Sequence, residues 1–125
     1  MFIVDETTGN ITLRQGDNGK YSIFGLPTDK NYRAYLSVED ENRNKIGEEL
    51  SVETNNAVSV SFIFSPDFTD NFTVKRGEDF ATYYFGIKIC YGINDIEDTL
   101  IIGDKTIEDV NTITVLPKIT EGNNI

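Results

Sequence analysis

Apolar and polar residues alternate along most of this chain with a period of two, and the longer period of an amphipathic helix is almost absent. The segment from 32 to 39 illustrates the pattern, because every second residue in it is apolar. Its apolar series is Tyr32, Ala34, Leu36 and Val38, and its opposite series is Arg33, Tyr35, Ser37 and Glu39. Such alternation predicts a strand with one buried face and one face in water.

The same pattern, interrupted by turns rich in Gly, Asn and Asp, predicts about nine short strands. The candidate segments are Phe2–Val4, Ile11–Leu13, Tyr21–Phe24, Tyr32–Glu39, Ile46–Val52, Val58–Phe64, Phe72–Val74, Phe80–Tyr91, Leu100–Ile102 and Thr112–Leu116. Strands of this length and spacing are typical of an antiparallel β-sandwich, either immunoglobulin-like or jelly-roll-like. With 125 residues, the chain is expected to form one all-β domain, residues 1–125, with residues from about 118 to 125 as a flexible C-terminal tail.

Charge and hydropathy narrow the possible partners. There are 21 acidic and 11 basic residues, and the net charge of −10 would repel a phosphate backbone, so nucleic-acid binding is not expected. No apolar run approaches the length of a membrane span. The first residues carry neither a basic region nor a long apolar stretch, so we expect the chain to fold in a cytoplasm rather than to be secreted.

The residues that usually carry catalysis are scarce. The chain contains no histidine, which removes the usual general base and every Ser-His-Asp or Cys-His arrangement. Its single cysteine, Cys90, lies in an apolar strand and is expected to be a buried thiol. The carboxylates are mostly dispersed among turns. The sequence therefore predicts a protein that is not an enzyme and that needs no cofactor.

One turn has a weak resemblance to a calcium site. Asp40, Asn42 and Asn44 place oxygen ligands at alternate positions, as the first half of an EF-hand loop does. Lys45 occupies the position where that loop requires glycine, and Ser51 occupies the position of the bidentate glutamate. A polar hairpin explains the segment without a metal ion, and this is the interpretation we favour.

Tyrosines on the predicted polar faces indicate a binding surface. Arg33 and Tyr35 lie on the outward face of one strand, and Thr82 and Tyr84 lie on the outward face of another. Tyrosine is common at protein interfaces because it is large, stiff and able to form hydrogen bonds. We therefore predict that these four residues contact a partner; the alternative is that the rings only cover neighbouring side chains.

Taken together, several segments resemble a known family. A strand ends in Gly-Asp at Ile11–Asp17, a strand and polar turn follow at Tyr32–Asn44, and an acidic turn leads into the Tyr/Phe-rich strand of Gly77–Lys88. This pattern, over residues 10 to 117, resembles the small β-sandwich domains of bacteriophage tails, notably the N-terminal domain of upper baseplate proteins.

The resemblance implies a virion structural protein, a baseplate or tail adaptor or attachment domain that folds in the host bacterial cytoplasm. It would act through contacts with other virion proteins of the tail, baseplate or head, and would be homo-oligomeric in the assembled particle. No catalytic residues carry over. The alternative is a carbohydrate- or host-receptor-binding module of a phage particle, in which outward tyrosines would stack on a cell-surface glycan.

Overall fold

A computed structural model describes residues 1–26, 31–55, 59–93, 96–102 and 111–118. Within these ranges, regular structure is almost entirely β. The strands are β1 (Phe2–Val4), β2 (Ile11–Arg14), β3 (Gly19–Phe24), β4 (Asn31–Glu39), β5 (Lys45–Asn55), β6 (Ser59–Phe64), β7 (Ala81–Ile93), β8 (Ile96–Ile102) and β9 (Asn111–Leu116), and one short helix, α1, spans Pro66–Thr69.

The strands form two sheets that pack on each other. The larger sheet has the order β1-β2-β9-β7-β4-β5, with β8 paired to the far end of β7, and the smaller sheet consists of β3 and β6. All described pairs are antiparallel except β2 with β9, which run parallel from the pair Ile11 and Ile113 to the pair Arg14 and Leu116. The predicted all-β sandwich is thus confirmed, with one parallel pair that the alternation did not indicate.

The strand order is that of an immunoglobulin-like sandwich rather than a jelly roll. The path β9-β7-β4-β5 corresponds to strands G-F-C-C′ of that fold, and β3 with β6 corresponds to B and E. Tyr83, near the start of β7, donates its hydroxyl hydrogen to the carbonyl of Thr73 at 2.6 Å and so links β7 to the connection that precedes it. Tyr21 and Phe85 form an edge-to-face pair between the two sheets, with ring centroids 5.4 Å apart.

The core lies between the sheets and takes its residues from the alternating positions. Buried apolar side chains of the larger sheet include Leu13, Leu36, Ile89 and Val115, and those of the smaller sheet include Phe62 and Phe64. Edge-to-face rings continue from Phe64 to Phe68 and from Phe68 to Phe72, with centroid distances of 5.3 and 5.1 Å. Such pairs contribute about 0.5–1.5 kcal/mol each beyond the area they bury.

The predicted strand at Phe72–Val74 is wrong. This segment has no strand partner; it follows α1, and Phe72 is completely buried in the core. Ser65 begins the helix because its side chain accepts a hydrogen bond from the backbone N–H of Phe68, while Pro66 occupies the first turn. An apolar residue that follows a helical turn can fill a core position just as an apolar residue in a strand can. Alternation over only three residues does not distinguish these two conformations.

A glycine inside a strand, such as Gly86 in the predicted strand Phe80–Tyr91, indicates a bulge or a close approach of another segment. Gly86 lies where β7 changes its neighbour. The register with β4 is continuous through the pair Ser37 and Gly86. On its other side, β7 pairs with β9 as far as Phe85 and with β8 from Lys88 onwards. A bulge is therefore not formed with β4.

Several predictions fall outside the described residues or at their boundary. The sequence also indicates that a single helical turn could begin at Asp29 and that Gly103–Asn111 forms a connecting loop. Asp29 and residues 103–110 lie outside the described residues, as do residues 119–125 of the C-terminal tail. Lys118, the first residue of that predicted tail, is described, and its ammonium group lies 3.3 Å from the carboxylate of Asp70. No helix in the described ranges is long and apolar enough to cross a membrane.

Candidate interaction surface

The four predicted contact residues lie on one face of the larger sheet. Arg33 and Tyr35 belong to β4, Thr82 and Tyr84 belong to β7, and these two strands are direct neighbours. Residues opposite each other in a pair point to the same side. Since the buried residues of β4 and β7 face the smaller sheet, the four contact residues point away from it. The outward orientation that alternation predicted for these four side chains is therefore the one that the structure has.

The register sets the spacing of the two tyrosines. Tyr35 lies opposite Lys88, and Tyr84 lies opposite Glu39. The two rows are four residues apart along the strands, which corresponds to about 13 Å. We call the outward surface formed by Arg33, Tyr35, Ser37, Thr82, Tyr84 and Gly86 the tyrosine face.

Two small residues lie between the tyrosines. Ser37 is directly opposite Gly86, midway between the Tyr35 and Tyr84 rows. Because serine and glycine project little from a sheet, no large side chain of β4 or β7 lies in the row between the two tyrosines. Both tyrosines are half-buried. A ring that is partly held by its neighbours loses little conformational entropy when a partner covers the rest of it.

Charged side chains surround the tyrosine face. Arg33 approaches Glu53 of β5 with an N–O distance of 3.7 Å, and both side chains are largely exposed. Ser37 donates its hydroxyl hydrogen to a carboxylate oxygen of Glu49, at 2.5 Å. Exposed ion pairs contribute little to stability, typically 0–1 kcal/mol. The ion pair of Arg33 with Glu53 therefore adds little to the stability of the domain.

A row of threonines extends the tyrosine face across the sheet. Thr82 lies opposite Thr114 of β9, and Thr114 lies opposite Thr12 of β2. Thr112 lies opposite Tyr84. The sequence did not identify Thr12, Thr112 and Thr114 as part of this surface, because nothing local to them indicates that β9 lies between β2 and β7.

Cys90 lies opposite Arg33 and is buried as a free thiol. Because the thiol is buried, it is poorly accessible to a reaction partner. The chain also contains no histidine that could activate it. Its expected role as a small buried residue agrees with this position.

The turn from Asp40 to Asn44 is closed by its own hydrogen bonds. One carboxylate oxygen of Asp40 accepts hydrogen bonds from the backbone N–H groups of Asn42 and Asn44, both at 2.9 Å. The pKa of Asp40 is lowered, chiefly by the backbone N–H of Asn44. Desolvation opposes this shift, and smaller contributions from the backbone of Asn42 and the side chain of Asn44 add to it. The carboxylate that would begin a calcium loop thus serves the hairpin. In the residues that the structure describes, no three acidic or cysteine side chains converge in a way that could hold a metal ion.

No protein-family model matches the chain, and a search of curated proteins finds no significant match to it. The function of the domain is therefore argued from its own surfaces and from the pattern of its sequence.

Proposed function

We propose that this domain is a structural protein of a phage virion, an adaptor or attachment domain of the baseplate or tail, and that it acts through protein–protein contacts made by the tyrosine face. Several copies would be held in the assembled particle, each contacting other virion proteins. The chain would fold in the bacterial cytoplasm before assembly.

The observation that carries the proposal is the placement of Arg33, Tyr35, Thr82 and Tyr84 on adjacent strands of one sheet with a common outward direction. Aromatic and arginine side chains on a rigid surface are the residues that most often dominate the binding energy of an interface. The sequence pattern from Ile11 to Leu116, which resembles phage tail domains, supports the choice of partner.

The chemistry of the chain supports a binding role rather than catalysis. The chain has no histidine, and its one thiol is buried. An interaction domain requires neither an activated nucleophile nor a general base.

The proposal is tested by asking whether the protein is present in purified particles of a phage that encodes it. We expect quantitative mass spectrometry of gradient-purified particles to find several copies per particle. A phage carrying Y35S and Y84S should incorporate the protein at least tenfold less, because both rings are removed from the contact. Detection only in the soluble lysate, with none in particles, would contradict the proposal.

A matched control is available on the opposite side of the sandwich. Phe24 is an aromatic residue of β3 that is 74% exposed on the outer face of the smaller sheet. F24S removes as much exposed aromatic surface without touching the tyrosine face, and it should leave incorporation unchanged. Equal losses for F24S and the tyrosine variants would show that the tyrosine face has no special role.

A second function, binding of a cell-surface glycan, is favoured by the two outward tyrosines. Tyr35 and Tyr84 could each stack on a sugar ring, and the intervening Ser37 could form a hydrogen bond with a hydroxyl group. This function predicts that polysaccharides of the host envelope raise the melting temperature of the domain and that Y35S with Y84S abolishes the shift. The absence of any shift, with or without calcium, would remove this alternative.

A further inference from the structure

Strand β5 forms an open edge of the larger sheet. It pairs with β4 along one side, and no other strand in the described ranges pairs with its other side. An edge strand presents backbone N–H and C=O groups that an extended segment of another protein can pair with. At the other end of the sheet the edge strand, β1, has only three residues. The eleven residues of β5 therefore provide the longer edge for such pairing.

A bulge divides this edge into two parts. The register of β4 with β5 shifts between the pair Leu36 and Leu50 and the pair Val38 and Ile46. Gly47 lies within the bulge with φ of 68°, a conformation that glycine adopts readily. From 50 to 54, β5 follows β4 without interruption. This regular part, about 17 Å long, is the segment where a further strand could pair continuously.

The side chains of this regular part alternate in character. Leu50 and Val52 point toward the core and are only half-buried, although they pack against it. Ser51 and Glu53 point outward and are exposed. Glu49, which lies in the bulge beside this part, is exposed and accepts a hydrogen bond from the outward side chain of Ser37. An added strand would therefore meet an incompletely covered apolar row on one face and carboxylates on the other.

We infer that the edge of β5 from 50 to 54 binds an extended segment of a partner protein in which apolar and basic residues alternate. The inference rests on the binding role proposed above and adds a second contact surface to it. The backbone of the segment would pair with β5, its apolar side chains would cover Leu50 and Val52, and its lysines or arginines would lie beside Glu49 and Glu53.

The carboxylates of Glu49 and Glu53 favour a basic segment over a second copy of this chain as the strand that pairs with β5. A second copy of this chain pairing through β5 would bring its own glutamates beside Glu49 and Glu53, and like charges on facing strands are destabilising. The net charge of −10 on each copy adds to this repulsion. A basic segment would instead be attracted by these carboxylates, and this attraction would raise its rate of association with the domain.

The test uses a blocked peptide of four Lys-Val repeats. The intact domain is titrated with the peptide, affinity is measured by fluorescence anisotropy, and protection is measured by amide hydrogen exchange. We expect slower exchange at alternate amides between 50 and 54. We also expect at least tenfold weaker binding of a Glu-Val repeat, and of a peptide in which the lysines and valines are grouped in two blocks.

Two double variants with the same change in net charge show whether the carboxylates beside β5 or the overall charge of the domain attract the peptide. E49Q with E53Q removes the carboxylates beside the proposed strand and should weaken Lys-Val binding about tenfold, a change of about 1.4 kcal/mol. E6Q with E78Q alters net charge by the same amount at exposed turns away from β5 and should change binding less than twofold. Equal effects of the two pairs, protection outside β5, or no binding would each overturn the inference.

The same peptide assay separates this inference from the proposed function. Tyr35 lies opposite Ser51 of β5, whereas Tyr84 lies on β7 and pairs with Glu39 of β4. Y35S with Y84S changes no residue of β5 and keeps its backbone groups and Glu53, so it should retain peptide binding even if the protein no longer enters particles. Conversely, the wild-type protein could enter particles but fail to bind the peptide. That result would overturn the β5 site and leave the proposed role of the tyrosine face unaffected.

Discussion

Phe2 and Gly19 show how one residue without a side chain can hold a terminal strand in place. A Cβ atom added to Gly19 would lie 2.0 Å from the Cγ atom of Phe2, so the ring occupies the space that any side chain at 19 would fill. The same ring packs edge-to-face on Phe64, with a centroid distance of 5.2 Å. Gly19 thus allows β1 of the larger sheet to contact the smaller sheet.

We predict that G19A destabilises the domain by about 1–3 kcal/mol, the usual cost of overpacking. The clash is with atoms near the base of the Phe2 side chain, which cannot swing away without moving β1. Urea unfolding measures the effect. In an F2A background the same substitution should cost less than about half as much, because the clashing ring is absent. Equal costs in the two backgrounds would show that the strain at 19 lies elsewhere.

The contact residues of the tyrosine face illustrate what is predictable at this scale. Tyr35 and Tyr84 were assigned to the outward face from alternation alone, and they lie there because neighbouring residues of a strand must point to opposite sides. That they share a face with each other depends on the register between β4 and β7. Register is a relation between distant segments, which the sequence of each segment leaves open.

Among the elements, the β4–β5 hairpin depends on one carboxylate. Asp40 accepts two backbone hydrogen bonds across the turn, and its own N–H donates to the carbonyl of Asn44 at 2.9 Å. Arg43 adopts a positive φ of 66° within this turn. The network explains how this five-residue polar segment reverses the chain.

The contribution of the Asp40 carboxylate to stability should depend on pH. Because folding lowers the pKa of Asp40, its ionised form stabilises the folded state above the unfolded pKa of about 3.9, and this contribution disappears as pH falls through the folded pKa. We predict that D40N is less stable than the wild type at pH 6 and that the difference becomes smaller as pH falls below the unfolded pKa of about 3.9. Urea unfolding across this range measures it.

The neighbouring residue in the same turn supplies the control for this experiment. E41Q removes one negative charge from an exposed side chain and should not reproduce the change in pH dependence. A constant difference between D40N and the wild type from pH 6 to pH 2 would contradict the role of the ionised carboxylate.

Helix α1 and the segment after it mark the limit of prediction at the element scale. The pattern of Phe68 and Phe72 is compatible with a strand, a turn or a helix, since the two residues are four positions apart. The structure buries both rings in one aromatic row with Phe64. Three-dimensional packing, rather than local preference, therefore decides the conformation of this connection.

The whole molecule carries a large negative charge, and its effect on stability is open to direct measurement. At low salt the ten excess negative charges repel one another in the compact state. The exposed ion pairs of Arg33 with Glu53 and of Arg43 with Glu39 act in the opposite sense, but each is worth at most about 1 kcal/mol. Repulsion among many charges should therefore outweigh them.

We predict that the melting temperature rises by a few degrees when ionic strength increases from about 0.01 M to about 0.15 M, as the Debye length falls from about 30 to 8 Å. Differential scanning calorimetry measures the change. E6Q with E78Q, which lowers the net negative charge by two, should reduce the salt dependence. A melting temperature that falls with added salt would show that ion pairs dominate.

The sequence by itself determined the class of structure, most of the strands and the side of each strand that is buried. These properties depend on the alternation of apolar and polar residues within a short segment, such as that from Tyr32 to Glu39. The absence of histidine likewise determined the catalytic chemistry that is unavailable to the chain.

Only the tertiary structure decided which strands are neighbours. It placed β9 in parallel beside β2, joined the threonines of three strands to the tyrosine face, and left the edge of β5 open. Many pairings of short, similar strands satisfy the same alternation, and the choice among them is made by the packing of both sheets on a common core. The surfaces through which we propose that this domain binds its partners follow from that choice.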